Sequence, residues 1–384
     1  LISIWEKLMR REVLVILELR KLGDAILSLP FVRGAKLHYD VYVLCHPASA
    51  PIFQTQLPTD HILKLTPPWV QFNAGSLLAF VRSVRQVRLL RPDVIVCGWA
   101  DARVEWLMGL IRAPRRVGFP MTPRNYYACQ VPWRRRHLRH GQWLSWIGKI
   151  LTGSRLLTDP LSRRDVAQSH LSDWAQVGEA VGVVPDTTIP WLKVSQEIRD
   201  PLLEAVLAQC CSRRRPLWIV HPGAGSRVKQ WGKGRFEKLI QSFFIPKGIT
   251  VVVIQSPGDL PLDVAGASVV LYKPPALESL IAITSMADAV LCNDSAMSHL
   301  AAAMGKRVVA IFGPSDPRLF SPFGNEHNVV VKGDCVWRPC MDRCLMPSPF
   351  CMELIHVEDV AEKVQRVHEE LQQVFLENRC NGNV

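Results

Sequence analysis

The sequence predicts an α/β protein built from two Rossmann-like domains facing a central cleft. Three observations predict it. Apolar, β-branched runs alternate with helical stretches along most of the 384 residues, the pattern of parallel sheets covered by helices. That pattern pauses once, at a stretch with two prolines over residues 184–192, and then restarts. A typical domain length of about 150 residues leaves room for two such halves. The expected division is 1–192, 193–356, and a C-terminal helix and tail at 357–384.

In the first half, residues 12–19 (EVLVILEL) read as a buried strand, and a helical pattern follows from Asp24. Strand-like runs come at 41–45, 61–65, 93–97 and 115–119, with helical stretches at 76–90, 103–111 and 165–181. Residues 120–165 are rich in Arg and Trp and lack strand patterning. In the second half, strands are expected at 217–220, 250–254, 289–292 and 307–312. Helices are expected at 234–243, 277–285 and 296–304, with an amphipathic terminal helix at 357–375.

With 48% hydrophobic and 21% charged residues, the chain can form a core, which excludes a disordered scaffold. No uncharged apolar run reaches the roughly 18 residues of a membrane span. With no secretory leader pattern either, a cytoplasmic location is expected. The net charge of +12 is uneven: residues 51–150 carry 15 basic and 4 acidic side chains, and residues 201–250 carry 9 and 2. Such fields attract nucleic acid, anionic membrane or phosphorylated small molecules, and composition alone does not choose among them. The 11 cysteines are mostly scattered in apolar runs and do not form a secreted disulfide framework. Cys335, Cys340, Cys344 and Cys351 are spaced C-x4-C-x3-C-x6-C, which lacks the short paired knuckles of structural zinc sites. Buried thiols or a disulfide suit them better than a metal.

Three strand-to-helix junctions carry candidate chemistry, because helix N-termini at sheet edges bind anions. At 19–30 (LRKLGDAILSLP), Asp24 is either a helix cap or a general base on an attacking hydroxyl. At 220–231 (VHPGAGSRVKQW), Gly223 and Gly225 admit close backbone approach, while Ser226 and Lys229 offer a hydroxyl and a cation to a phosphate. At 291–317, Asp294 or Ser295 caps a helix of small residues ending at Gly305. The free N–H groups of Ser295, Ala296 and Met297 then face a diphosphate, with His299 one turn in and Ser315 and Asp316 on the next loop. The chain contains no Asp-x-Asp pair of the kind that holds a metal on a nucleotide sugar. Charge on a leaving diphosphate would therefore fall to Lys229 and the helix N-terminus, giving a metal-independent mechanism.

These motifs resemble glycosyltransferase family 9, the ADP-heptose:lipopolysaccharide heptosyltransferases. The resemblance rests on Leu22-Gly23-Asp24 with Pro30, on His221–Ala224 with Lys229, Trp231, Arg235 and Phe236, and on Asp294, Ser295 and His299–Ala302 followed by Phe312–Pro317. It spans about residues 12–365. It implies the GT-B type of glycosyltransferase fold and inverting, metal-independent heptose transfer from ADP-heptose to the inner core of lipopolysaccharide. The nucleotide sugar is then a substrate, with no cofactor. By resemblance, Asp24 is the base, and Ser226, Lys229, Asp294, Ser295, Ala296 and His299 hold the donor. Asp259, in a Ser-Pro-Gly-Asp turn, is the loosest match and would hold the donor ribose. Ala296 stands where relatives often have Gly.

The resemblance also gives the basic middle segment a reading. Arg112, Arg115, Arg116 and Arg124, with the Arg134–Arg136 run and Trp133, Trp143 and Trp146 nearby, are expected to meet an anionic glycolipid acceptor at a membrane surface. Peripheral contact with the cytoplasmic face of the inner membrane is expected, and nucleic acid is not. Two alternatives stay open: a relative with another donor or glycan acceptor, and a non-catalytic sugar-nucleotide-binding protein on the same fold.

Overall fold

The computed structural model describes residues 10–70, 74–122, 125, 156–165, 167–192, 194, 216–256, 261–340, 344 and 346–380. The chain divides into two compact units, Leu1–Trp191 and Leu192–Val384.

Unit 1 is a six-stranded parallel sheet of β1 (Val13–Glu18), β2 (Asp40–Cys45), β3 (Ile62–Lys64), β4 (Val94–Cys97), β5 (Arg115–Gly118) and β6 (Asp159–Pro160). Their spatial order is β3-β2-β1-β4-β5-β6. All six residues of β1 are buried, which explains the unbroken VLVILE run: a central parallel strand is covered on both faces. The covering helices are α1 (Leu22–Ala35), α2 (Ala50–Gln54), α3 (Ala74–Leu89), α4 (Ala102–Ile111) and α5 (His170–Val181). One core cluster joins β1 and β4 to α3 and α4 through Val84, Val87, Leu107, Met108 and Ile111.

Unit 2 repeats the plan. Its strands are β7 (Leu217–His221), β8 (Thr250–Ile254), β9 (Val269–Tyr272), β10 (Ala289–Asn293), β11 (Arg307–Phe312) and β12 (Val329–Val331). Their order, β12-β11-β10-β7-β8-β9, is the same doubly wound order as in unit 1. Its helices include α6 (Lys233–Leu239), α7 (Leu277–Met286), α8 (Ala296–Ala303), α9 (Pro317–Phe320), α10 (Phe350–Glu353) and α11 (Val357–Cys380). The terminal helix α11 is part of this unit's core, because Val360, Val364 and Val367 are fully buried beside Trp218 and Trp231.

Most expected elements are present, with shifted ends. Helix α1 begins two residues before Asp24, and α5 begins at His170 with the Ser169 hydroxyl accepting from the Ser172 N–H. The edge strands β6, β9 and β12 carried too few residues or too little burial for the sequence pattern to show them.

One glycine fixes how α1, the helix that carries Asp24, is seated. A Cβ on Gly34 would lie 2.1 Å from the Val184 carbonyl oxygen, so only glycine lets the helix touch the chain there. Gly→Ala inside a helix normally stabilises by about 1 kcal/mol. Here Gly34→Ala is expected to destabilise by about 1–3 kcal/mol, the usual cost of overpacking. Urea unfolding checks the sign.

Candidate active site

In each unit the strand order reverses between the first and fourth strands, so the loops after those strands part and leave a crevice at the carboxyl edge of the sheet. Asp24 follows the first strand of unit 1, and Lys229 and Asp294 follow the first and fourth strands of unit 2, each at its own unit's crevice.

In unit 1 the loop after β1 carries Arg20 and Lys21, the first turn of α1 carries Asp24, and the loop after β4 carries Trp99. Asp24 sits in the first turn of α1, where its Oδ2 accepts from the Lys21 backbone N–H at 3.2 Å and lies 3.8 Å from Arg20 Nε. The Arg20 guanidinium lies 3.6 Å over the Trp99 ring, and the His170 ring, tilted against it, has its centroid 3.7 Å from that of Trp99. His170 Nδ1 is 3.0 Å from Asp173 Oδ2, and Asp173 is held by two 2.8 Å bonds from the buried Arg163. Burial keeps the His170 imidazole below its usual pKa, although Asp173 pulls the other way. Arg20, Trp99, Arg163, His170 and Asp173, with Gly98 and Asn125, line a small open pocket.

Beneath this group lies Glu18, the last residue of β1 and fully buried. Its carboxylate accepts from Trp99 Nε1 at 2.9 Å and from the Arg20 N–H at 3.2 Å. Those donors favour the ionised form, but burial and the nearby Asp24 charge outweigh them and push its pKa up to about 8.

In unit 2, the loop after β7 brings Lys229 to the loop after β10. Lys229 Nζ lies 2.8 Å from Asp294 Oδ2, and the Ser315 hydroxyl donates to the same oxygen. The neighbouring Asn293 ties both loops down. Its Oδ1 accepts from the Trp231 N–H at 3.0 Å, and its Nδ2 donates to the Pro222 carbonyl at 2.6 Å. Trp231 is in turn buried, with its indole N–H on the Ile355 carbonyl at 2.8 Å. Arg235 bonds the carbonyls of Trp231 and Met352.

The expected capping of α8 by Asp294 or Ser295 is not what the structure shows. Ser295 holds the N-cap position with extended backbone, yet its hydroxyl makes no cap bond and is buried without a partner among the described residues. Asp294 has turned to Lys229 and Ser315 instead, because an ammonium and a hydroxyl are stronger partners than one backbone N–H. No Ser295 side-chain cap therefore reaches the start of α8, where the Ser298 N–H bonds the Ser295 carbonyl at 3.1 Å. Ser226 flanks the Lys229 turn, Ala296 opens α8, and His299 is buried one turn in. A Cβ on Gly225 would meet nothing within 4 Å, so local packing does not require glycine there and the space beside the loop is open.

The expected acceptor arginines are not brought together with Asp24. Arg115 and Arg116 start β5, with Arg115 paired to Val94 at the start of β4, so they lie at the amino edge of the sheet. Arg112, the αL C-cap of α4, lies just before them. Arg115 bonds the Ala180 carbonyl at 2.8 Å and Arg116 the Leu156 carbonyl at 2.6 Å, which uses their guanidinium groups to join β5 to its neighbours. Arg124, Asp259, Arg134–Arg136, Trp133, Trp143 and Trp146 lie outside the described residues. Cys335, Cys340, Cys344 and Cys351 are free thiols, with Cys340 pushed up to about 12 chiefly by burial. Among the described residues no three His, Cys, Asp or Glu side chains are placed to hold an ion.

Sequence reasoning missed Glu18, Arg20, Trp99, His170, Asp173 and Arg163 in unit 1, and Asn293 in unit 2. Glu18, Arg20, Trp99 and Asn293 each end or follow a central strand, a position that could have flagged them. His170, Asp173 and Arg163 carry no such signal.

Two parallel six-stranded sheets of this order are the fold of the GT-B glycosyltransferases, shared with the Escherichia coli heptosyltransferases. Within that class, residues 161–346 match the model of glycosyltransferase family 9 (heptosyltransferase). A glycosyltransferase family 9 structure from Veillonella parvula covers 94% of this chain and 98% of its own, at 16% identity and a TM-score of 0.68. E. coli heptosyltransferase WaaC with ADP covers 92% and 99%, at 15% identity and a TM-score of 0.62. Lipooligosaccharide heptosyltransferase 2 of Campylobacter jejuni is 32% identical over 92 residues, which is 24% of this chain and 29% of that protein. The protein of the same name from Haemophilus influenzae is 25% identical over 135 residues, 32% of this chain and 39% of its own. The chain thus matches well under half the length of these curated relatives.

The Glu18 environment predicts a pH dependence. Its folded-state pKa lies above the ordinary carboxylate value, so its contribution to stability is complete below about pH 4.5 and is lost as pH rises through about 8. The thermal midpoint of the wild type should fall more steeply between pH 6 and 9 than that of Glu18→Gln, which keeps a neutral side chain throughout. Parallel curves would mean that Glu18 does not take up a proton on folding.

Proposed function

We propose that this protein is an inverting, metal-independent glycosyltransferase that moves heptose from ADP-heptose to the inner core of lipopolysaccharide. The observation that carries the reading is the Lys229–Asp294–Ser315 group in front of the uncapped N-terminus of α8, at the switch point of the second sheet. A cation held in place beside free helix N–H groups is the chemistry a nucleoside diphosphate leaving group needs. The relatives support the sugar: one solved structure is E. coli WaaC with ADP-2-deoxy-2-fluoro heptose. Asp24 lies at the equivalent point of the first sheet but outside the matched residues 161–346, so its role rests on its own position and on the Leu-Gly-Asp motif.

In the proposed reaction the acceptor hydroxyl oxygen attacks the anomeric carbon and the bond from that carbon to the diphosphate breaks. Asp24 takes the hydroxyl proton, and ADP leaves with its new charge met by Lys229 and the N–H groups of Ser295, Ala296 and Met297. Asp294 and Ser315 then hold Lys229 in position. Ser226, His299 and Asp259 complete the proposed donor set, and Arg124 remains the proposed acceptor contact, since Arg112 lies at the opposite, amino edge of the sheet from Asp24.

The test is release of ADP by purified protein given ADP-heptose and heptose-deficient core lipopolysaccharide, in EDTA. Asp24→Asn should lower kcat on the order of 10²–10⁴-fold with donor affinity kept. Lys229→Ala should weaken ADP binding, measured by calorimetry, by about tenfold or more, as loss of a charge-assisted hydrogen bond worth roughly 1.5–3 kcal/mol requires. Wild-type turnover by Asp24→Asn would remove the base from this mechanism, and dependence on an added divalent ion would remove its metal independence.

A further inference from the structure

We infer that the outward faces of α3 and α4 dock on the surface of an anionic lipid bilayer. Helix α3 buries Ser76, Ser83, Val84 and Val87 against the unit 1 core. A helix lying on a globular domain ordinarily turns charged and polar groups to water on its other side. Helix α3 instead exposes Leu78 (59%) and Val81 (58%), one turn apart, with Leu77 beside them. Its 16 residues include no carboxylate. The cations Arg82 and Arg85 stand on the same exposed side and take part in no hydrogen bond or ion pair among the described residues.

The surface continues onto α4. Arg88 in the last turn of α3 donates through Nε to the Leu110 carbonyl at 2.8 Å, which brings the two helices together. Helix α4 exposes Trp106 (49%) and Leu110 (42%), four residues apart and so on one face. Its acids do not oppose the arginines: Glu105 is buried, and Asp101 is held by Arg103 through bonds of 2.9 and 2.6 Å. The result is aliphatic, indole and guanidinium groups on adjoining helices, whose carboxylates among the described residues are either buried (Glu105) or paired (Asp101).

One occupant fits all of these. Aliphatic side chains and an indole insert at the boundary of head groups and acyl chains, and arginines beside them pair with lipid phosphates. A second copy of the same face would set Arg82 and Arg85 against their own counterparts. A nucleic acid would satisfy the arginines and leave the leucines and valine without a partner. No described helix is long and apolar enough to cross a membrane, so contact of this kind would be peripheral. The inference deepens the proposed reading, in which the acceptor is a glycolipid, but its test uses neither donor nor acceptor.

The experiment is co-sedimentation of the full chain with vesicles of phosphatidylcholine alone and with about 30% phosphatidylglycerol, which gives the bilayer a negative surface potential. Binding is expected to the anionic vesicles and to fall steeply at high salt. Arg82→Ser with Arg85→Ser should weaken it by about 30-fold, at about 1 kcal/mol for each arginine. Leu78→Ser with Val81→Ser should weaken it by about tenfold. Arg82→Lys with Arg85→Lys should keep it. Circular dichroism and thermal midpoints establish that the variants fold, as exposed substitutions should. No partition to anionic vesicles, equal partition to neutral ones, or binding indifferent to the serine variants overturns the inference. So does a dimer in solution that the same variants dissociate. Vesicle binding without ADP release would instead uphold this surface and sink the proposed reaction.

Discussion

The candidate chemistry depends on one constraint of chain topology. In each sheet the first strand lies beside the fourth, and the connections on either side of that pair run to opposite faces. The loops leaving the two strands cannot cover each other, so the carboxyl edge stays open there. Asp24 and Trp99 follow β1 and β4, and Lys229 and Asp294 follow β7 and β10. Residues that are 71 or 81 positions apart, such as Asn293 with Pro222 or Trp99 with Glu18, meet because of that adjacency.

The two crevices differ in how they hold charge. In unit 2 the polar groups satisfy one another directly: Lys229, Asp294 and Ser315 form a compact set, and Asn293 and Trp231 anchor the loops behind it. In unit 1 the charged groups are held largely through aromatic rings and buried partners. Arg20 rests on Trp99, Trp99 donates to Glu18, and His170 packs tilted against Trp99 and bonds Asp173, the partner of Arg163. A buried carboxylate such as Glu18 is costly unless it is paired or protonated, and here Asp24 adds to the cost of ionising it. Protonation in the interior of unit 1 is therefore linked to the loop that presents Asp24.

Much of this was legible in the sequence, and the rest was hidden for definite reasons. Central strands such as β1 and β10 read clearly because burial on both faces demands continuous apolar runs. Edge strands such as β12, three residues long and only partly buried, leave no such run. The motif residues were legible as a set, but not their separate jobs. Gly313 of the Phe-Gly-Pro motif serves packing, since a Cβ there would lie 2.2 Å from Met352 Sδ. Trp231 and Arg235 anchor loops and the chain near Met352, and Asp294 orients a lysine where a cap was expected. Arg115 and Arg116 looked like free cations, and backbone carbonyls take them up.

By itself, the sequence determined the α/β class, the central strands, the two-part organisation and the short motifs after the strands, because these follow from local periodicity and from residues close together in the chain. The tertiary structure decided which loops share a crevice, which cations are already paired and which apolar side chains are left facing outward. Those properties depend on strand order and on how helices lie across the sheet. Strand order is set by the packing of whole sheets, in which contacts between distant segments outweigh any local preference, so no single segment of the chain records it.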